Sequence, residues 1–233
     1  MLRAEPELAA VIFDFDGIIV DTEPMHYRAF MRVLEPLELG YSWESYLEEY
    51  IGFDDRDAFR EVYARHGRSL STSELETLIA AKAAAFQEVI ANGVTPYPGV
   101  VELLDDLNGR IPLALCSGAL RSDIIPIVTR LGIRGAFDVM VTADDVAASK
   151  PDPESYRLAH ELLQQSYAGR EIPQSQTLAI EDTPAGITSA RRAGLKVLAV
   201  TNSYPADRLK GGATVVDSLQ GLNRQRLAAF LRD

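Results

Sequence analysis

The sequence predicts an α/β protein: a doubly wound, mainly parallel sheet carrying an inserted helical domain. Three observations lead there. Short β-rich runs alternate with helical stretches along most of the chain. Several of those runs are apolar almost throughout, as strands buried on both faces of a parallel sheet are. Between about Thr22 and Thr95 the alternation stops, and only helical stretches are found.

The first strand is AVIFDF, residues 10–15. It runs into Asp14 and Asp16, two carboxylates that at period two lie on one side of an extended chain. Two like charges so placed are unfavourable unless something positive sits between them. The pair is either a solvated strand end or half of a cation and phosphate site. Residues 22–95 follow as the helical insertion. Its clearest helix starts at Ser71, with Glu74 three residues on as a capping box, and ends at Asn92-Gly93. The chain returns through TPYPG, residues 95–99, to a helix carrying Val100, Leu103, Leu104 and Leu107 at spacings of three and four. The remaining strands are IPLALC (111–116), FDVMVT (137–142), QTLAIE (176–181) and KVLAVT (196–201), with QQSYAGREIPQSQ (164–176) as a polar surface connection. The helix from Thr183 to Arg192 has Thr183 as N-cap, Pro184 at its first position and Gly194 past its end. The result is a Rossmann-like core from residues 1–21 and 96–233, and a helical domain from 22–95.

Composition sets the outer bounds. With 233 residues, 47% of them apolar, the chain can form one large domain or a core with a smaller companion. A net charge of −11 argues against nucleic-acid binding, although local cations can still hold a small anion. Cys116, the one cysteine, excludes an intrachain disulfide framework and reads as a small buried hydrophobe. No run of about 18 apolar residues is present to cross a membrane, and MLRAEPELAA lacks the apolar stretch of a signal peptide. The expectation is a cytoplasmic monomer with neither nucleic acid nor membrane as partner.

Ligands of an open α/β sheet bind beyond the carboxyl ends of its strands. Asp14 and Asp16 follow strand one, Ser117 follows strand two, Lys150 lies in the loop after strand three, and Glu181 and Asp182 end strand four. Each has a plain structural reading: a solvated loop for the acids, a helix cap for Ser117, an exposed loop charge for Lys150. Together, hard oxygen ligands with one lysine and one serine suit Mg²⁺ and a phosphoryl group. The three histidines show no metal-ligand spacing.

Four fragments, DFDGIIVDTEPMH (14–26), LCSGA (115–119), ASKPDPESY (148–156) and IEDTPAGITSARRAG (180–194), resemble the haloacid dehalogenase-like hydrolases of the subgroup with a helical cap after the first strand. The resemblance implies Asp14 as nucleophile, Asp16 as general acid and base, and Ser117 and Lys150 as holders of the transferring phosphoryl group. It implies Mg²⁺ held by Asp14, Asp16 through its backbone carbonyl, Glu181 and Asp182. Thr22, His26, Lys82 and Gly118 are the expected substrate-binding residues, with His26 also a candidate proton relay. Lys82 falls on the apolar stripe of Leu75, Leu78, Ile79, Phe86, Val89 and Ile90. Either it snorkels with its amine in water, or it reaches the substrate across the domain interface.

The expected function is an Mg²⁺-dependent phosphatase for a small phosphorylated metabolite, working through an aspartyl-phosphate. A β-phosphoglucomutase-type phosphosugar mutase is the alternative. Against it, Asp55 stands after Gly52 where that mutase has a phosphate-clamping arginine, with Arg56 one place late, and SGALR (117–121) differs from its second motif. Dehalogenation needs no acid at Asp16, and a non-catalytic binding module would not need every catalytic position filled.

Overall fold

The structure, a computed structural model, describes residues 7–51, 53–91 and 93–232. The readings placed on the first six residues, on Gly52 and on Asn92 as a helix stop lie outside those residues. Strand β1 (Ala10–Phe13) is followed by helices α1 (Glu23–Leu34), α2 (Trp43–Glu49), α3 (Asp55–Arg65), α4 (Thr72–Ile90) and α5 (Val100–Leu107). Alternation then sets in with β2 (Leu113–Cys116), α6 (Arg121–Arg130), β3 (Val139–Val141), α7 (Glu154–Ser166) and β4 (Thr177–Glu181). It continues through α8 (Pro184–Arg192), β5 (Lys196–Val200), α9 (Ala206–Leu209), β6 (Thr214–Val216) and α10 (Arg224–Ala229). The strands form one sheet in the order β3-β2-β1-β4-β5-β6, and all five pairings are parallel.

Strand periodicity explains why these runs are apolar on every residue. Along β1, Val11 and Phe13 face one side of the sheet, and Ala10 and Ile12 the other. On the first side Leu113, Leu115, Leu178, Ile180, Leu198 and Val200 meet α5, α6 and α10. On the second Ala114, Cys116, Ala179, Val197 and Ala199 meet α7 and α8. The first face therefore carries large side chains and the second mostly small ones, which lets α7 and α8 approach the sheet closely. Helices α1 to α4 enclose a third buried cluster, including Phe30, Leu34, Phe59, Val62 and Leu75. Cys116 is fully buried as expected. No helix among the described residues is long and apolar enough to cross a membrane.

Two details differ from the sequence reading. β1 stops at Phe13, because the carbonyl of Phe15 accepts the amides of Ile18, Ile19 and Val20 and the chain turns there. Gly17 supports that turn at φ +81°, a region other residues rarely enter. Asp14 and Asp16 thus share a side because of a turn rather than an extended strand. The sixth strand, β6, was not expected: it has three residues, all half-buried, too short and too mixed for a strand signal. The capping box of α4 does form, with Ser71 accepting from the Glu74 amide and Glu74 accepting from the Ser71 amide.

The asymmetry of the two faces is testable. Ala179→Leu adds bulk where α7 and α8 lie close and should lower stability by about 1–3 kcal/mol, the usual range for an overpacked core. Urea unfolding of the variant against wild type measures it.

Candidate active site

Topology brings the acids together. The chain order reverses between β1 and β4, and in this sheet type ligands sit at such a switch point beyond the strand ends. Phe13 is in register with Ile180, and the Asp14 amide donates to the Ile180 carbonyl at 2.9 Å. Asp14 and Glu181, the next residue on each strand, are therefore side by side. Ligand atoms of Asp14, Glu181 and Asp182 lie within 4.8 Å of one another, and all three residues are buried.

One ammonium group serves this cluster. Lys150 Nζ donates to Asp14 Oδ1 at 2.8 Å, Glu181 Oε1 at 2.7 Å and the Cys116 carbonyl at 3.1 Å, with the Tyr156 ring 4.8 Å away. Both Glu181 oxygens are engaged: Tyr156 Oη donates to Oε1 at 2.9 Å, and the Asp182 and Thr183 amides and the Thr183 hydroxyl donate to Oε2. Gly186 is required for this arrangement, since a Cβ there would overlap the Glu181 carboxylate. Asp182 differs: Oδ2 accepts from Ser203, while Oδ1 is buried with no hydrogen-bond partner. A Cβ at Gly17 would overlap the Asp182 carboxylate, so the glycine also makes room for it.

The charges do not balance. Burial, then the Glu181 carboxylate, push the Asp14 carboxyl up to about 8 despite Lys150. Burial and the Asp14 and Glu181 charges hold Asp182 well above the usual carboxylate range. Lys150 is held well above the ordinary lysine value, because its two carboxylate partners outweigh the desolvation that lowers it. Three buried carboxylates facing one ammonium favour a hard divalent cation over shared protons. The orphaned Asp182 Oδ1 suits it, with the Asp14 carboxylate beside it, whereas Glu181 is committed to Lys150 and the backbone.

Asp16 is treated in the opposite way. Thr22 and His26 donate to Oδ1, the latter at 3.3 Å, and Ser117 Oγ donates to Oδ2 at 3.4 Å. Burial raises the Asp16 pKa, but His26, Thr22 and Lys82 more than offset it, and the carboxyl lies below its ordinary value. Lys82 Nζ is 2.8 Å from His26 Nδ1. An ammonium can only donate, so Nδ1 accepts and Nε2 carries the proton given to Asp16.

A cavity of about 60 Å³ is lined on the sheet side by Asp14, Asp16, Gly118, Ala119, Ser149, Lys150 and Thr183. That is room for about four to six waters. Of the expected substrate-binding residues, His26 and Gly118 line it. Thr22 and Lys82 do not, both being fully buried: Thr22 lies behind Asp16 and Lys82 behind His26. Lys82 does not snorkel. Its amine meets Asp55 Oδ1 at 2.8 Å, Asp123 Oδ2 at 3.5 Å and the rings of Phe30 and Phe86, which no stripe pattern distinguishes from an exposed end. Residues not anticipated are Tyr156 behind Glu181, Ser203 on Asp182, and Asn202, which donates to the Gly17 carbonyl at 2.6 Å. The last two sit just past the carboxyl end of β5, a position that would have marked them.

Fold and site together define an α/β enzyme that handles an anionic group at the end of a parallel sheet. The chain belongs to the haloacid dehalogenase-like hydrolase family, whose profile matches residues 11–200. It is similar to protein CbbY of Rhodobacter capsulatus, 33% identical over 207 residues covering 85% of this chain and 87% of that one. Validoxylamine A 7'-phosphate phosphatase of Streptomyces hygroscopicus subsp. limoneus is 32% identical over 199 residues, 85% of this chain and 88% of that protein. The crystal structure of CbbY from Rhodobacter sphaeroides in complex with phosphate superposes with a TM-score of 0.82 at 26% identity, covering 94% of this chain and 99% of that one.

Lys82 yields a prediction. Lys82→Met leaves the Asp55 and Asp123 carboxylates buried without their cation and should destabilise the protein by about 3–5 kcal/mol, the usual loss on breaking a buried ion pair. Chemical denaturation monitored by circular dichroism tests this; an unchanged midpoint would contradict the burial described.

Proposed function

We propose that this hydrolase is an Mg²⁺-dependent phosphatase for a small phosphorylated metabolite, with Asp14 as nucleophile. Residues 22–95 act as a cap over a core formed by 1–21 and 96–233. The observation that carries this reading is the Asp14 carboxylate, ion-paired through one oxygen to Lys150, beside the unpartnered oxygen of Asp182. The relative named as a phosphate-ester phosphatase and the phosphate in the CbbY crystal structure support it.

Asp14 and Asp182 are the side chains that would hold the metal, which supplies charge neutralisation at the phosphoryl oxygens. Lys150 adds a positive charge at the same place and, through Asp14 Oδ1, fixes the direction in which Oδ2 attacks. Ser117, whose Oγ donates to Asp16 and accepts from the Ala119 amide, would turn its hydroxyl to the transferring group when substrate binds. In the first displacement Asp14 Oδ2 bonds to phosphorus, and the bond from phosphorus to the ester oxygen breaks. Asp16 gives that oxygen a proton. In the second, water attacks the aspartyl-phosphate, Asp16 takes its proton, and phosphate leaves with Asp14 restored.

Three donors on Asp16 favour the ionised form, which the second displacement needs. The negative phosphoryl group arriving with substrate raises its proton affinity, which the first needs. The mutase alternative differs only in where the phosphoryl group goes: back to the sugar rather than to water.

The two aspartates separate under mutation. Asp14→Asn should abolish turnover, while Asp16→Asn should keep binding and lose about 10²- to 10⁴-fold in kcat. The Asp16 loss should shrink with p-nitrophenyl phosphate, whose leaving group needs no proton. Wild-type turnover in Asp14→Asn would place the nucleophile elsewhere.

Metal dependence has a readout besides activity. Mg²⁺ added to chelator-treated protein should raise the melting temperature, as any ligand of the folded state does. In Asp182→Asn the rise should be lost, and full turnover in excess chelator would contradict the metal's role.

A further inference from the structure

The cavity has two chemically different ends. On the sheet side stand Lys150 and the turn after β2; on the side of the helical insertion stand Glu23, Asp54 and Asp55, with Phe30, Tyr46 and Phe53. Among the described residues that line it, Lys150 supplies the one ammonium or guanidinium group. Arg56 is the nearest candidate for another, but it is already committed. Its Nη2 pairs with Asp54 Oδ2 at 2.8 Å, and its Nη1 donates to the Val146 carbonyl at 3.4 Å.

The carboxylates at the far end are poised to accept rather than to repel a donor. Lys82 takes Asp55 Oδ1, and Asp55 Oδ2 is buried with no hydrogen-bond partner although the residue borders the cavity. Tyr46 donates to Glu23 Oε2, so the tyrosine is oriented by the carboxylate. A second phosphate placed there would face carboxylates in a site with little water, and like charges so juxtaposed are strongly unfavourable. A hydroxyl or ammonium group would donate to the same oxygens.

Given the phosphatase reading above, we propose that the site selects monophosphate esters of a polyhydroxylated, uncharged or cationic leaving group and rejects bisphosphates. Glu23 and Asp55 are its specificity-determining carboxylates, Asp54 being occupied by Arg56 and the Asp57 amide. The phosphoryl group binds at Lys150, and the leaving group's hydroxyls reach Asp55 and Glu23. Phosphoryl transfer between two ends of a phosphosugar, which requires the second phosphate to be held at the far end, is excluded by the same charges.

Steady-state kinetics with Mg²⁺ on fructose 1-phosphate, fructose 1,6-bisphosphate and p-nitrophenyl phosphate test this. The monophosphate should exceed the bisphosphate in kcat/KM by at least about 10-fold. Phe53→Arg, at a half-exposed cavity-lining position, should shrink that ratio by about 10-fold by supplying the missing cation. Equal or better use of the bisphosphate by wild type, with p-nitrophenyl phosphate hydrolysed normally, overturns the selectivity and leaves the phosphatase reading standing. An unchanged ratio in Phe53→Arg also overturns it, since the leaving group then lies elsewhere. Release of phosphate from none of the three overturns both readings.

Discussion

Three buried carboxylates cluster around a site with one lysine, which reaches two of them, at the point where the sheet reverses its strand order, and most of the site's construction follows from that imbalance. Lys150 lies between Asp14 and Glu181, and no other cation among the described residues pairs with them. Glu181 is saturated by Tyr156, by the turn that opens α8 and by Lys150, which turns it into a brace for the lysine. Asp182 fits beside the turn only because Gly17 leaves space for its carboxylate, one oxygen of which has no hydrogen-bond partner. Such a cluster is costly without a cation, and this is the physical reason for reading it as a metal and phosphate site rather than as solvated strand ends.

Asp16 obeys a different logic two residues away. It is wrapped in donors, and one of them links it to the helical insertion: Lys82 on α4 holds His26 on α1, and His26 holds Asp16. Lys82 also meets Asp123 on α6. Asp16 is thus tied to both parts of the chain, whereas Asp14 answers to the sheet alone. One pair of aspartates in a short motif can have pKa values shifted in opposite directions because each has its own neighbours.

Much of this was legible in the sequence. Five strands could be read because both faces of the sheet are buried, leaving runs without polar interruption, and four segments carrying chemistry fell at the ends of those runs. The capping box at Ser71 and Glu74 is a local signal and was read as it formed. What stayed hidden depends on distant partners. β6 is short and half-buried. The turn at Phe15 looked like strand because its residues are apolar. Lys82 fits a snorkelling pattern until Asp55, Asp123 and His26, from three other helices, are seen around it. The acidic lining at Glu23, Asp54 and Asp55 follows from the packing of α1 and α3, which no periodicity specifies.

The side-by-side placement of Asp14 and Glu181 has a bearing on how the chain acquires its chemistry. Both residues owe their positions to the pairing of β1 with β4, strands separated by the helical insertion and by β2, β3 and the helices between them. Contacts of such long sequence separation carry a large loop-closure cost and form late. A chain emerging during synthesis therefore carries Asp14 from the start, yet the anion site does not exist until β4 docks. Chemical competence is in this sense a report on completed topology: a chain that ends before β4 lacks Glu181 and Asp182, and a misregistered sheet holds the same carboxylates without a common place to act.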